Sequence, residues 1–270
     1  MSSRLIRIAS VAAVMVASTV GMAFTASAQQ ASQVSVVHGI PGQPVDVYVN
    51  GKKTVENFQP ATVAGPLELA AGTYDVALTK PGEAVTSAIL QNKSLAVPAG
   101  KNLSVAAHLD AAGKPVLTAF VNDTTMIAAG NARLVVRHTA AAPAVDVRAG
   151  GKPVFSGVTN PNEVKADLPA GTVNADVVLA GTTTVAIGPK DLDLKAGTST
   201  IVYAIGSAEG KTLGLAAQTI SGLAGAPTGM PAGRGPVADS GVPVALLVLT
   251  GLVLGGFAFF TRRVVRHGSR

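Results

Sequence analysis

The chain has 270 residues, no cysteine, no tryptophan and only 4% aromatic side chains. Disulfide staples are therefore excluded, and Val, Ala, Leu and Thr must fill whatever cores it builds. Its formal charge of +6 suits a nucleic-acid partner, but the excess sits near the two termini, since residues 29–222 carry 14 basic and 14 acidic side chains; nucleic-acid binding thereby loses its electrostatic support.

Residues 1–28 read as a secretory signal peptide. Arg4 and Arg7 form a basic start, an apolar run extends to about Phe24, and Ala26-Ser27-Ala28 offers a small-x-small cleavage site. The mature chain then begins at Gln29. An uncleaved N-terminal anchor is the alternative.

The next stretch, Val34–Lys52, is written twice. VSVVHGIPGQPVDVYVNGK is echoed one hundred residues later by ARLVVRHTAAAPAVDVRAGGK (Ala132–Lys152), with His138 answering His38, Asp146 answering Asp46 and Lys152 answering Lys52. A fixed-period echo marks a duplicated structural unit, so two units are expected, 32–125 and 131–221. Within the first, Val45-Asp-Val-Tyr-Val alternates at period two, and Asn50-Gly51 signals a type I′ hairpin. Further strands are expected at Leu67–Leu69, Tyr74–Thr79, Ala88–Leu95, Leu103–His108 and Val116–Val121, separated by Gly- and Pro-rich breaks. In the second unit Ala170-Gly171-Thr172 echoes Ala71-Gly72-Thr73 and Ala196-Gly197 echoes Ala99-Gly100. The offset drifts from 100 to 97, as small loop deletions on a shared framework would produce. The pattern predicts an all-β chain of two tandem antiparallel β-sandwich, immunoglobulin-like domains, and the short link at Asn122–Asn131 predicts a fixed pair.

Residues 222–241 are a Gly/Ala/Pro-rich linker. Val242–Phe260 is uncharged and, at 1.5 Å per residue, about 28 Å long as a helix, enough to cross a bilayer. Arg262, Arg263 and Arg266 in the tail, 261–270, would hold that end in the cytoplasm. The expectation is a single-pass protein of the cell membrane with its ectodomain outside.

The twice-written phrase resembles the DUF4397 family of bacterial exported proteins: a hydrophobic strand ending in His, a loop, then Val-Asp-Val and a Gly-rich hairpin. The first copy stands as VVHGIPGQPVDVYVNGK and the second as VVRHTAAAPAVDVRAGGK. The resemblance implies tandem β-sandwich domains at the cell surface, in a family without an established biochemical role. The second copy departs from it, with Thr139-Ala-Ala-Ala replacing the Gly-Ile-Pro-Gly turn and Arg148-Ala149 replacing Tyr48-Val49. The order of linker, apolar span and basic tail is also similar to a sortase sorting signal, although no Leu-Pro-x-Thr-Gly occurs.

His38 with Asp46, and His138 with Asp146, form the constellation worth weighing. An Asp-oriented imidazole would serve as a base or metal ligand. A loop clamp, with His bonded to backbone or to the Asp of the next strand, is the reading favoured here, because one His and one Asp are too few ligands for zinc. His108 would complete a set, yet the second copy places Ile205 or Gly206 there. No Gly-x-Ser-x-Gly elbow, cysteine nucleophile, phosphate loop or metalloprotease His pair occurs, and Asp191/Asp193 reads as a solvated strand face. No catalytic, cofactor-binding or metal residue is assigned. The expected function is a non-catalytic binding or structural module of the bacterial envelope, with a wall polymer or an envelope protein as partner. A sortase-attached adhesin, or a surface enzyme or metal sensor using His38 and Asp46, stands as the alternative.

Overall fold

The computed structural model describes residues 30–225. The leader, the remainder of the linker, the apolar span and the basic tail lie outside these residues. Among the described residues no helix is long and apolar enough to cross a membrane.

Sixteen strands follow one another, interrupted by one short 3-10 turn at Val85–Ser87. The first eight are β1 (Ser32–His38), β2 (Val45–Val49), β3 (Lys52–Phe58), β4 (Val63–Leu69), β5 (Gly72–Thr79), β6 (Leu90–Val97), β7 (Asn102–Leu109) and β8 (Pro115–Val121). The second eight are β9 (Asn131–His138), β10 (Val145–Ala149), β11 (Lys152–Val158), β12 (Glu163–Pro169), β13 (Gly171–Leu179), β14 (Val185–Leu194), β15 (Ser199–Ile205) and β16 (Gly214–Ile220). Each eight makes two four-stranded sheets with matching orders. They are β4-β1-β7-β8 with β3-β2-β5-β6, and β12-β9-β15-β16 with β11-β10-β13-β14. The Asn50-Gly51 turn adopts positive φ at both residues, as does Gly150-Gly151, which lets β2–β3 and β10–β11 close as two-residue hairpins.

The sandwich architecture is present, with two differences from the expected form. In each half one pair is parallel, β1 with β7 and β9 with β15, so the inner sheets are mixed. Also, β1 and β2 lie in different sheets, whereas the immunoglobulin order keeps its first two strands side by side. The parallel pairs have a physical reason: their strands are buried on both faces, the setting in which parallel pairing is found. In β1, Val34 and Val36 face the first sandwich core, and in β7 Leu103, Val105 and Ala107 do the same. Val37 and Ala106 instead join Val135, Ile201, Tyr203 and Ile205 in a cluster between the halves. The inner sheets thus pack on each other and on their own outer sheets. β3 lies outside the expected strands, because KKTVENF exposes most of its side chains at a sheet edge and shows no apolar face.

A buried polar network runs through the contact between the halves. Arg137, 1% exposed, donates to Glu163 Oε2 (2.8 Å), Tyr203 OH (2.7 Å) and Asn122 Oδ1 (2.8 Å). Its guanidinium stacks 4.4 Å from the Phe120 ring. Ser104 Oγ and Tyr203 OH both donate to Gln218 Oε1, at 2.8 and 3.0 Å, and Gln218 Nε2 donates to Ser35 Oγ at 3.1 Å. Nearby, Asp123 at the start of the link pairs with Lys165 (2.6 Å) and Arg133 (3.1 Å). Lys165 first, then the Thr125 hydroxyl and Arg133, hold its carboxyl well below the usual range against the opposing effect of burial.

The two cores are filled unequally. Register places Ala175 where Val76 stands and Val177 where Leu78 stands, and the second half retains an apolar void of about 30 Å³ lined by Val136, Val147, Val177 and Val202. Val177→Leu should fill it and stabilise the protein by about 1 kcal/mol, read as a raised midpoint in urea; a lowered midpoint would show that the void cannot take the methylene. Arg137→Ala should cost about 3 kcal/mol by stripping a buried network of its donor. Lys165→Ala, at an exposed pair, should cost less than about 1 kcal/mol. Equal losses in the two variants would contradict the ranking.

Candidate functional site

His38 ends β1 and Asp46 lies in β2, yet the two side chains bond to different groups. The His38 Nε2–H donates to Gln43 O at 3.1 Å, closing the loop that follows β1. The fully buried ring lies 5.5 Å from Phe58, and its Nδ1 has no partner among the described residues. Asp46 Oδ1 accepts from the Asn57 amide (2.8 Å), and Oδ2 accepts from the Gly82 amide (2.9 Å) and from Lys53 Nζ (2.8 Å). The carboxylate therefore ties the end of β3 and the β5–β6 turn to β2. Burial works against its charge, but Lys53 and the two amides outweigh burial and hold its pKa below the ordinary value.

The second half repeats this arrangement. His138 Nε2 donates to Pro143 O (2.9 Å), and Asp146 accepts from the amides of Gly157 (2.8 Å) and Gly181 (3.0 Å). Those two amides hold the Asp146 carboxyl below its usual pKa. Asn57 and Gly157 are both left-handed, with φ of 48° and 65°, so each carboxylate caps a backbone kink at the same point of the fold. The replaced turn after His138 leaves the clamp intact. The cation does not survive: position 153 is proline, and Arg148 pairs instead with Asp176 through Nε–H to Oδ1 at 2.8 Å.

Histidine ends of the inner strands meet at one pole of the molecule. His108 Nδ1 donates to Leu109 O (2.9 Å) and its Nε2 accepts from Thr118 Oγ1 (2.8 Å). Asn160 bridges the halves there, donating to Leu109 O (2.8 Å) and Ala140 O (2.6 Å). Gly39 is needed at this meeting point, since a Cβ would lie 2.9 Å from Ile205 Cγ2. A cleft of about 450 Å³ opens between the halves beside His108, Asp110, Thr118 and Asn160. Its polar groups have partners within the protein: His108 and Thr118 bond each other, Asn160 bonds two carbonyls, and Asp110 Oδ1 accepts from the Ala112 and Lys114 amides. Register sets Ile205 opposite His108 in the duplicated plan. Among the described residues no three His, Cys, Asp or Glu side chains converge as a metal set requires.

Residues 32–148 match the family model described as "Domain of unknown function (DUF4397)". The chain carries a DUF4397 domain. The match spans the first eight strands and runs into β9 and β10, ending two residues beyond Asp146. Comparison with the curated proteins finds no match. Within the DUF4397 match both His–Asp motifs are present, and each residue acts on backbone.

Sequence reasoning did not find the Arg137 network. Its signal was available in Arg133 and Arg137, two cations at even spacing on one face of the otherwise apolar strand ARLVVRH, since a charge on a doubly buried strand requires partners.

Burial is the main cause that lowers the pKa of His38, His108 and His138 from the ordinary 6.5. Below 6.5 the unfolded chain takes up protons that the folded chain refuses, so the histidine contribution to stability is complete above that pH and is lost as pH falls beneath it. The clamp carboxylates, whose ordinary pKa is 3.8, act only at lower pH. The melting temperature should therefore decline between about pH 6.5 and 5, and a His38→Gln/His108→Gln/His138→Gln variant should flatten that slope. His38→Ala should lower stability by about 2 kcal/mol; an unchanged melting temperature would remove the clamp role.

Proposed function

We propose that this protein is a non-catalytic binding or structural module of a bacterial cell envelope, exported by the 1–28 leader and anchored by one C-terminal helix at 242–260, with both sandwich units outside. The carrying observation is that the twice-written His and Asp side chains are committed to backbone carbonyls and amides, where they fix loops. Loops fixed on a rigid scaffold present a defined surface to a partner. The joined halves support a spacer role as well. Gln30 and Leu223 line one cleft, so the chain enters and leaves the described residues at one pole. The histidine pole lies at the other end of strands seven or eight residues long, about 25 Å away. A tether on the C-terminal side leaves the histidine pole free to meet a wall polymer or an envelope protein.

The test uses a soluble fragment of residues 30–228. It retains Leu223 and Gly225, whose amides donate to Gly197 O and Ile127 O. The fragment should co-sediment with the isolated envelope of its own organism. Retention after protease treatment of the envelope identifies a wall polymer, and loss identifies a protein partner. A fragment that stays in the supernatant under both conditions would overturn the binding role.

A further inference from the structure

Every sheet has two edges, and an exposed edge offers unpaired backbone groups to any passing strand unless charge, proline or a bulge interrupts it. Of the eight edges among the described residues, seven carry such an interruption. β3, β6, β11 and β14 belong to pairs with shifted registers. β4 combines a shift with Pro66, β12 carries Glu163, Lys165 and Asp167, and β8 opens on Pro115. β16, Gly-Leu-Ala-Ala-Gln-Thr-Ile, has none of these, and it pairs with β15 over seven consecutive positions without a shift.

The phase of that ladder is fixed. Thr212 N donates to Ser207 O at 3.0 Å, and continuing the register makes Gly214/Ile205, Ala216/Tyr203, Gln218/Ile201 and Ile220/Ser199 the hydrogen-bonded pairs. The N–H and C=O of Leu215, Ala217 and Thr219 therefore point away from β15, and Ala217 and Thr219 are exposed. Beside this edge, between β16 and the β1–β4 side of the other half, lies an open groove of about 380 Å³. Gln33, Ser35, Val63, Pro66, Gln218 and Ile220 are among its walls, and no charged side chain lines it.

We propose that β16 accepts an extended, uncharged peptide segment of a partner protein as an added strand. Main-chain bonds form to Leu215, Ala217 and Thr219, and alternate side chains of the segment enter the groove. The uncharged lining selects this occupant, because a charged side chain brought there would be desolvated without a counter-ion, while Val63, Pro66 and Ile220 give the side chains of the segment an apolar wall. A glycan would use the groove but not the backbone edge. The inference rests on the binding-module reading and deepens it by naming where and what the module binds.

The full chain in detergent micelles, with empty micelles as the blank, is titrated against a fluorescein-labelled octapeptide of alternating valine and threonine and followed by anisotropy. The expected result is saturable binding that weakens at least about tenfold for Ala217→Lys, for Thr219→Lys, and for the same peptide N-methylated at alternate residues. Both positions are exposed, and circular dichroism confirms that each variant folds. Equal affinity for the N-methylated peptide, unchanged affinity in both lysine variants, or no binding of the parent peptide at millimolar concentration would overturn the proposal. Envelope co-sedimentation separates the two readings. Persistence in the Ala217→Lys variant overturns strand addition and leaves the module intact, whereas its loss in that variant alone supports both.

Discussion

The structure depends on one constraint, the burial of two inner sheets on both faces. β1 and β7 in one half, and β9 and β15 in the other, have no solvent side, so each must satisfy a sandwich core and the opposite half together. Val34 and Val36 serve the first core while Val37 turns to the partner half; Leu134 and Val136 serve the second while Val135 does the same. Separating the halves would expose this second apolar face and take from Arg137 its Asn122 bond and its Phe120 stacking surface, leaving it Glu163 and Tyr203 of its own half. Gln218 would lose Ser35 and Ser104 of the first half in the same step, and buried polar groups left without partners are costly, so the network penalises any arrangement in which the halves slide. The short link from Asn122 to Asn131 adds a further restraint, because Asp123 and Thr125 within it are bound by Arg133 and Lys165 of the second half.

The His–Asp motif reads differently in this setting. Two titratable side chains at a fixed spacing invite a catalytic or metal interpretation, but their atoms point at backbone. His38 and His138 each close the loop after an inner strand, and each aspartate ties the end of one outer strand and one outer-sheet turn to β2 or β10. Both functions are needed once per half, which explains why the phrase is written twice. It also explains which parts drift. The carbonyl that accepts from histidine comes from Gln43 in one copy and Pro143 in the other, and a backbone acceptor is indifferent to that change. Lys53, a side-chain partner, has no counterpart at Pro153.

Much of this was legible in the chain itself. The all-β class, the hairpin at Asn50-Gly51 and most strands of the first half follow from period-two alternation and turn residues. The offset drift seen in the sequence is the drift seen between equivalent strands, from 100 at β4 and β12 to 99 at the start of β5 and β13. Three things were not legible, each for a reason of long-range pairing. β3 and the first half of β4 expose too much for an apolar pattern to show. The parallel pairing of β1 with β7 joins strands about seventy residues apart, and local turn chemistry says nothing about it. The Arg137 network draws on residues from β7, β8, β9, β12, β15 and β16, which only the packed halves bring together.

The matching strand orders of the two halves also bring out an asymmetry between them. Swapping the halves exchanges β4 with β12 and β8 with β16, so the contact has two equivalent seams, β8 against β12 and β4 against β16. The first is closed by charge: Arg137, Glu163 and Lys165 occupy it with Phe120 as the stacking surface. At the corresponding positions of the second stand Val37, Val63 and Gly65, and Gln218 takes the place of Phe120. A glycine and a neutral amide cannot fill the space that lysine and a stacked arginine fill, so this seam stays open as the groove beside β16. The second seam is bridged by neutral bonds alone, from Gln218 to Ser35 and from Ser104 to Gln218. With no ion pair to build there, its edge strand remains uncharged and regular where every other edge among the described residues is interrupted.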